Sequence, residues 1–154
     1  MLQQICENIH NYFIHLPISG NWTIAGGVVS PSLSLLEGQR FLITGSALND
    51  GMYTFHSAGI KNDDDTAVVG LKDETFAGTI CALAVPPAVI ALSSEINAWV
   101  AKYGEQLNSP YTSESVLGVY SYNKATGGTG AGGTVSWKDA FKGQLDRWRK
   151  VAFL

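Results

Sequence analysis

Few side chains in this sequence are suited to nucleophilic or metal chemistry, since it has only two cysteines and three histidines. Cys81 and His56 could form the thiol–imidazole pair of a hydrolase if the fold brought them together. His10 and His15 stand five residues apart on a predicted helix, whereas metal ligands on one helix face stand three or four apart. We therefore expect no catalytic, cofactor-binding or metal-binding residue, and keep the Cys81–His56 hydrolase as the third of three functions considered.

The cysteines and the acidic residues have a simpler interpretation. Cys6 and Cys81 lie far apart among apolar residues, which is typical of buried thiols. The run Asp63-Asp64-Asp65, with Asp73 and Glu74, has enough carboxylates for calcium but lacks the alternating spacing and distal Glu of an EF-hand loop. A solvated hairpin tip is the interpretation that we favour.

The composition indicates one domain whose surface carries little charge. The chain has 154 residues, 45% hydrophobic and 15% charged, with a net charge of −3, whereas an ordinary soluble domain is about 25% charged. No basic stripe is present to neutralise phosphates, so we expect no sequence-specific nucleic acid. No signal peptide and no apolar run of about 20 residues is found, so we also expect no membrane association.

Hydrophobic spacing predicts a helix at the start of the chain and a sheet after it. The apolar stripe of the helix ends before Pro17 and consists of Leu2, Ile5, Cys6, Ile9, Phe13 and Leu16. Short runs rich in β-branched and aromatic residues predict strands over residues 21–30, 40–44, 52–55, 67–71 and 78–85. Asn49-Asp50-Gly51 predicts a hairpin turn between two of them, with Gly51 at positive φ.

The second half is predicted to contain two further helices joined by an extended segment. Pro86 and Pro87 open a helix that is expected to stop at Gly104. Residues 108–126 lack helical periodicity, and the glycine tract 127–133 predicts a flexible linker. A capping box of Ser136 and Asp139 starts a final helix. Its apolar face consists of Trp137, Phe141, Leu145 and Trp148.

These elements predict an α+β fold: a small antiparallel β-sheet or barrel with an N-terminal helix, a packed central helix, an extended arm and a C-terminal helix. We expect residues 1–107 to form a single core domain, 108–135 the arm and linker, and 136–154 the C-terminal helix. The six glycines between Gly118 and Gly133 make ordering of the arm costly in an isolated subunit. We expect the arm to become ordered on assembly.

Several segments resemble a family of uncharacterised proteins from phages and prophages of Gram-positive bacteria. They are residues 38–46 (GQRFLITGS), 49–53 (NDGMY), 73–80 (DETFAGTI), 84–87 (AVPP), 109–115 (SPYTSES), 120–122 (YSY), 136–141 (SWKDAF) and 145–150 (LDRWRK). Residues 112–122 (TSESVLGVYSY) are also similar to the Ser-Glu-Ser-x-Gly-x-x-Ser-x-x-Tyr arm of head–tail connector subunits. Leu117 is here an extra residue, and Val119 replaces the usual acidic one.

The resemblance implies a structural virion protein, a head–tail connector or adaptor in the neck of the particle, and not an enzyme. Its partners would be further copies in a homo-oligomeric ring and other head–tail junction proteins, in the host cytoplasm during assembly and then in the virion. The interaction residues would be Tyr111, Ser113, Glu114, Ser115, Val116, Tyr120 and Tyr122 in the arm, with Trp137, Phe141 and Trp148 in the last helix. Those three aromatic residues could equally belong to the protein's own core.

A second function stays open beside the connector. A small β-barrel could serve as the ligand-binding module of a phage tail or baseplate, holding a sugar or peptide. Trp22, Tyr53 and Phe55 could then supply a stacking platform.

Overall fold

The computed structural model describes residues 1–107, 113–116, 120–123 and 136–151. The helices are α1 (Leu2–Asn8), α2 (Pro87–Leu107), α3 (Trp137–Ala140) and α4 (Lys142–Asp146). The strands are β1 (Ile14–Ala25), β2 (Val28–Ser30), β3 (Arg40–Thr44), β4 (Gly51–Thr54), β5 (Lys61–Asn62), β6 (Glu74–Leu83), β7 (Ser113–Val116) and β8 (Tyr120–Asn123).

Six of the strands form one antiparallel sheet that curls into a half-barrel, in the order β2-β1-β6-β3-β4-β5. The long strands β1 and β6 pair from Ile14↔Leu83 to Ile24↔Glu74, and β3 lies on the other side of β6. Strands β7 and β8 form a separate two-stranded sheet. The predicted α+β class, with a small antiparallel sheet, an N-terminal helix and a central helix, is confirmed.

The N-terminal helix is shorter than its apolar stripe predicts. It ends at Asn8, and the chain reverses through His10 and Phe13, whose φ angles are +53° and +54°. The Asn11 side chain accepts the Phe13 N–H at 3.0 Å, an alternative to helical hydrogen bonding. Leu16 and Pro17 therefore belong to β1, and the expected helix up to Leu16 is wrong.

Two of the predicted strands also need correction. Residues 21–30 are not one strand, because the chain turns at Gly26 and Gly27 (φ +58° and +79°) and pairs β1 with β2. Residues 67–71 form only the isolated bridge Lys61↔Val68. The Asn62 side chain accepts hydrogen bonds from the N–H groups of residues 66 and 67. These two donors therefore stabilise a turn and are not used in hydrogen bonds between strands.

The hairpin predicted at Asn49-Asp50-Gly51 is confirmed. Strand β3 pairs with β4 from Arg40↔Thr54 to Ile43↔Gly51, and Gly51 has φ +153°. The connection is the wider loop of residues 45–50 and not a tight two-residue turn. The buried Asn49 side chain fixes this loop, because it bonds both the N–H and the C=O of Lys72, at 2.8 and 3.0 Å.

The helices of the second half differ from the prediction at their ends. Gly104 does not stop α2, which continues to Leu107. Gly104 is not at positive φ, the conformation by which glycine ends a helix. The capping box of Ser136 and Asp139 is confirmed, and the final helix is broken at Phe141 into α3 and α4.

Two apolar clusters lie on opposite faces of the sheet, as alternation along β3 and β6 requires. The helix-side cluster joins the sheet to α1, α2 and α4, and contains Leu2, Ile5, Cys6, Ile9, Leu42, Met52, Cys81, Leu83, Val89, Leu92, Ile96 and Leu145. The opposite cluster contains Trp22, Ile24, Phe41, Ile43, Leu71, Phe76 and Ile80. The second face carries no helix among the residues that the structure describes.

Candidate functional site

The arm residues singled out by the sequence lie in the separate hairpin of β7 and β8. Ser113, Glu114, Ser115 and Val116 make up β7, and Tyr120 and Tyr122 lie in β8. The register runs from Ser113↔Asn123 to Val116↔Tyr120. Tyr111 and the glycine tract lie outside the described residues. The expectation that the arm becomes ordered only on assembly also concerns these residues and stays a prediction.

The C-terminal aromatic residues pack against the protein's own core while staying partly exposed. Trp137, Phe141 and Trp148 all border the helix-side cluster, and Leu145 between them is fully buried. Phe141 meets Trp99 edge-on with ring centres 6.1 Å apart, and Trp148 meets Phe13 in the same way. Their role at an interface stays a prediction that concerns only the exposed parts of these rings.

Hydrogen bonds to backbone carbonyls attach this C-terminal segment to the end of α1 and the residues that follow it. The Lys150 N–H donates to the Ile9 carbonyl at 2.9 Å, and the Arg149 guanidinium donates to the Asn8 carbonyl at 2.6 Å. The Asn11 amide donates to the Trp148 carbonyl at 3.1 Å. Residues 136–151 therefore pack on the same core as α1, although they lie at the opposite end of the sequence.

In the part of the chain that the structure describes, strand β1 presents a long open edge that sequence reasoning missed. It pairs with β6 over most of its length, but β2 covers only Thr23 to Ala25 on its other side. Every residue from Ile14 to Asn21 is exposed. Ile14, Leu16 and Ile18 are between 41% and 55% exposed, which is unusual for large apolar side chains on a strand. Pro17 is compatible with this position because proline is tolerated on an edge strand.

The five carboxylates considered for calcium do not share a site. Asp63 and Asp64 bind the start of α1, where each accepts a hydrogen bond from the Met1 ammonium at 3.0 Å. Asp73 accepts the Gly26 N–H at 2.8 Å. Among the described residues, no three His, Cys, Asp or Glu side chains are grouped as metal ligands would be.

Asp63 and Asp64 are also less exposed than a solvated hairpin tip would be, so that interpretation is wrong for these two residues. Their side chains are 17% exposed. Asp64 further accepts hydrogen bonds from Ser93 and Asn97 of α2. Burial alone would raise the pKa of Asp64, but the ammonium of Met1 and these hydrogen bonds outweigh it and lower the pKa. The pair joins α1, α2 and the β5 turn.

Glu74 organises the loop between β3 and β4. Its carboxylate accepts hydrogen bonds from the Ser46 hydroxyl, the Ala47 N–H at 2.8 Å and the Asn49 amide at 3.0 Å. These donors, with the hydroxyl of Ser46 first, lower the pKa of Glu74. The residue is therefore a structural acceptor at the start of β6.

His56 is held between two carboxylates and does not meet Cys81. Its Nδ1 lies 2.7 Å from Glu37 and its Nε2 lies 2.6 Å from Asp65, so both ring nitrogens are occupied. Asp65 also pairs with Lys61 at 3.1 Å. Cys81 is buried in the helix-side cluster, where burial raises the pKa of its thiol. The structure does not bring the Cys81–His56 pair together.

The Glu37–His56–Asp65 clasp predicts a pH-dependent contribution to stability. Hydrogen bonds to Glu37, and then to Asp65, raise the pKa of His56 above its ordinary value of 6.5. The clasp therefore contributes its full stability between the ordinary carboxylate pKa of 4.5 and the ordinary imidazole pKa of 6.5. Its contribution is lost as the pH rises through the higher folded-state pKa of His56. We expect the melting temperature to fall over this window, and to fall less steeply in His56→Gln.

The matched control for this prediction is His15→Gln, which removes an exposed histidine of β1. Thermal melts at closely spaced pH values would compare the three proteins. An identical pH dependence in His56→Gln and the unmodified protein would show that the clasp contributes nothing.

A cavity of about 520 Å³ opens on the sheet face opposite the helices. It lies between the β1–β2 turn, the segment of residues 32–35 and the two segments of residues 55–60 and 68–71. His56 lines it, and the clasp joins this part of the wall to Glu37 and Asp65, which do not line the cavity themselves. Sequence reasoning missed the cavity because its walls come from segments far apart in the chain.

The aromatic platform expected for a sugar-binding module is not assembled. Trp22 is 4% exposed and its indole N–H donates to the Gly78 carbonyl at 3.2 Å. Tyr53 packs on Phe41 and donates its hydroxyl hydrogen to the Asn49 carbonyl at 3.0 Å. Of the three candidate residues, Phe55 lines the cavity.

Comparison of the chain with protein-family models, with curated proteins and with solved structures finds no match. Among the described residues, no helix combines the length and the apolar character that crossing a bilayer requires.

Proposed function

We propose that this protein is a structural subunit of a tailed bacteriophage or prophage, built into a ring at the head–tail junction as a connector or adaptor. The observation that carries the proposal is the open edge of β1, where exposed apolar side chains accompany a row of backbone groups that no neighbouring strand covers among the described residues. An edge of this kind is a ready template for a strand from another chain.

The chemistry of the edge favours a protein partner. Leu16 and Ile18 stand on the same face of β1 as Trp22, since alternate residues of a strand share a face. An added strand would supply the missing backbone hydrogen bonds, and its side chains would cover Leu16 and Ile18. Soluble proteins that stay monomeric usually protect such an edge with charges, and residues 14–21 contain no Lys, Arg, Asp or Glu.

The hairpin of β7 and β8 is the complementary element that we assign to this edge. Within the described residues it belongs to no larger sheet, and an isolated two-stranded hairpin is marginally stable in water. Docking of this hairpin on β1 of the next copy would give backbone hydrogen-bond partners both to the hairpin and to the open edge of β1. The contact is head-to-tail, so repeating it closes a ring when the rotation between copies is suitable.

The phage context rests on the sequence resemblance to connector arms, which covers the same β7–β8 segment. The low charge of the chain, 15% of residues, also suits a subunit whose faces become covered by neighbours. The partners would be further copies of the chain and other proteins of the head–tail junction, and the mature location would be the virion.

Mass spectrometry of gradient-purified particles tests the proposal. We expect the chain in a fixed ratio to the portal protein, with chemical cross-links to itself and to a neighbouring junction protein. A phage-encoded replication protein, measured in the same particles, controls for carry-over. Particles that infect normally and lack the chain would contradict a structural role in the virion.

A further inference from the structure

The cavity opposite the helices has the properties of a small-molecule site, and its walls are apolar. Its volume of about 520 Å³ lies within the range of roughly 300–1,000 Å³ that is common for ligand pockets. Ten aliphatic and aromatic side chains larger than alanine line the cavity. Five of these pack on the opposite cluster while staying only partly buried: Val29, Leu33, Leu35, Phe55 and Ile60.

The polar groups at the cavity do not suit a sugar. Of the described residues that line it, only Ser32, His56 and Ser57 have polar side chains. Both ring nitrogens of His56 are engaged by carboxylates, and the backbone N–H of Ser57 donates to Glu37 at 2.9 Å. A ligand with many hydroxyl groups would therefore lose more hydrogen bonds to water than the cavity could replace.

One wall of the cavity, at His56, is anchored before any ligand arrives. The clasp links Glu37, His56 and Asp65, which come from three different segments of the chain. A preformed site loses little conformational entropy on binding. Partly buried apolar side chains that remain in contact with water supply a favourable free energy when a ligand covers them.

We propose that this cavity binds a small, neutral, apolar molecule. The inference is independent of the proposed assembly, because the open residues of β1 are not among those that line the cavity. The bound molecule would contact Leu35 and Phe55 and would cover the partly exposed parts of the opposite cluster.

Titration with the neutral fluorescent probe N-phenyl-1-naphthylamine tests this site. The unmodified protein is expected to bind one probe per chain with saturable fluorescence enhancement. Leu35→Trp places a larger side chain in the cavity and should weaken binding at least about tenfold. The matched control is Leu36→Trp, because Leu36 is 74% exposed and does not line the cavity; it should bind as the unmodified protein does.

A second variant keeps the test decisive if Leu35→Trp fails to fold. Gly70 lines the cavity, and an added Cβ there meets no atom within 4 Å, so Gly70→Leu should weaken binding without straining the backbone. Absence of saturable binding by the unmodified protein would overturn the site, as would unchanged binding by a folded Gly70→Leu. Displacement of the probe by maltose would overturn the assignment to an apolar ligand.

The variant Leu16→Lys/Ile18→Lys should bind the probe normally. This control separates failure of the cavity site from failure of the assembly edge on β1.

Discussion

Replacing Gly78 by valine is expected to lower the free energy of unfolding by about 3 kcal/mol or more. Gly78 lies in the middle of β6, where a Cβ atom would stand 2.3 Å from the backbone carbonyl oxygen of Thr44. The same atom would lie 3.0 Å from the ring of Phe76. The clash is with backbone, so it cannot be relieved by rotation of a side chain alone. Glycine inside a strand often marks such a close approach of another chain segment.

The cost is large because several elements converge on this point. The chain leaves β3 at Gly45, whose φ is +90°. A Cβ atom added to Gly45 would lie only 3.1 Å from the Cα of Gly78. The Trp22 indole donates its hydrogen bond to the Gly78 carbonyl. Displacing β6 here would disturb β3 and the opposite cluster together. A loss of this size is a large part of the roughly 5–15 kcal/mol that stabilises an ordinary domain.

The matched control is Gly20→Val, because Gly20 pairs directly with Gly78 across β1 and β6. A Cβ at Gly20 meets no atom within 4 Å, so valine should be accommodated there. Urea denaturation of both variants gives the comparison, with Gly78→Ala as a milder version if the valine variant does not fold. Equal denaturation midpoints for Gly78→Val and Gly20→Val would contradict the packing described here.

The local part of the fold could be predicted from the sequence. Short runs rich in β-branched and aromatic residues predicted β3 and β4, and Asn49-Asp50-Gly51 marked the hairpin between them. The buried stripe of α1 was also predicted, although its end was not. The residues from Phe13 to Leu16 fit a helical spacing, whereas Ile14, Leu16 and Ile18 fit a strand, and this short stretch cannot decide between the two periods.

The remaining features depend on contacts between distant parts of the chain. Glu37, His56 and Asp65 form one clasp, but no spacing in the sequence connects them. Asp63 and Asp64 were expected in solvent because they form a charge run, and they instead bind the start of α1. The open edge of β1 could not be found from the sequence, since it depends on how far β2 extends along β1.

Introducing lysine at Leu16 and Ile18 is expected to abolish association of the chain with itself. Both side chains are about half exposed in the single subunit, so the double variant should fold normally. In the proposed contact, an added strand would bury two charges without partners, which is unfavourable. We expect the affinity between subunits to fall by about a hundredfold or more. The control Leu36→Lys/Leu48→Lys adds the same charge at exposed apolar positions away from β1.

Light scattering on size-separated protein, over a series of concentrations up to the solubility limit, tests the assembly edge most directly. The unmodified protein and the Leu36→Lys/Leu48→Lys control should rise from the single-chain mass of 16.5 kDa to a defined multiple of it. The Leu16→Lys/Ile18→Lys variant should remain at the single-chain mass throughout. If the unmodified protein stays at one chain at every concentration, or if the edge variant assembles as the control does, the open edge of β1 is not the surface that joins the subunits.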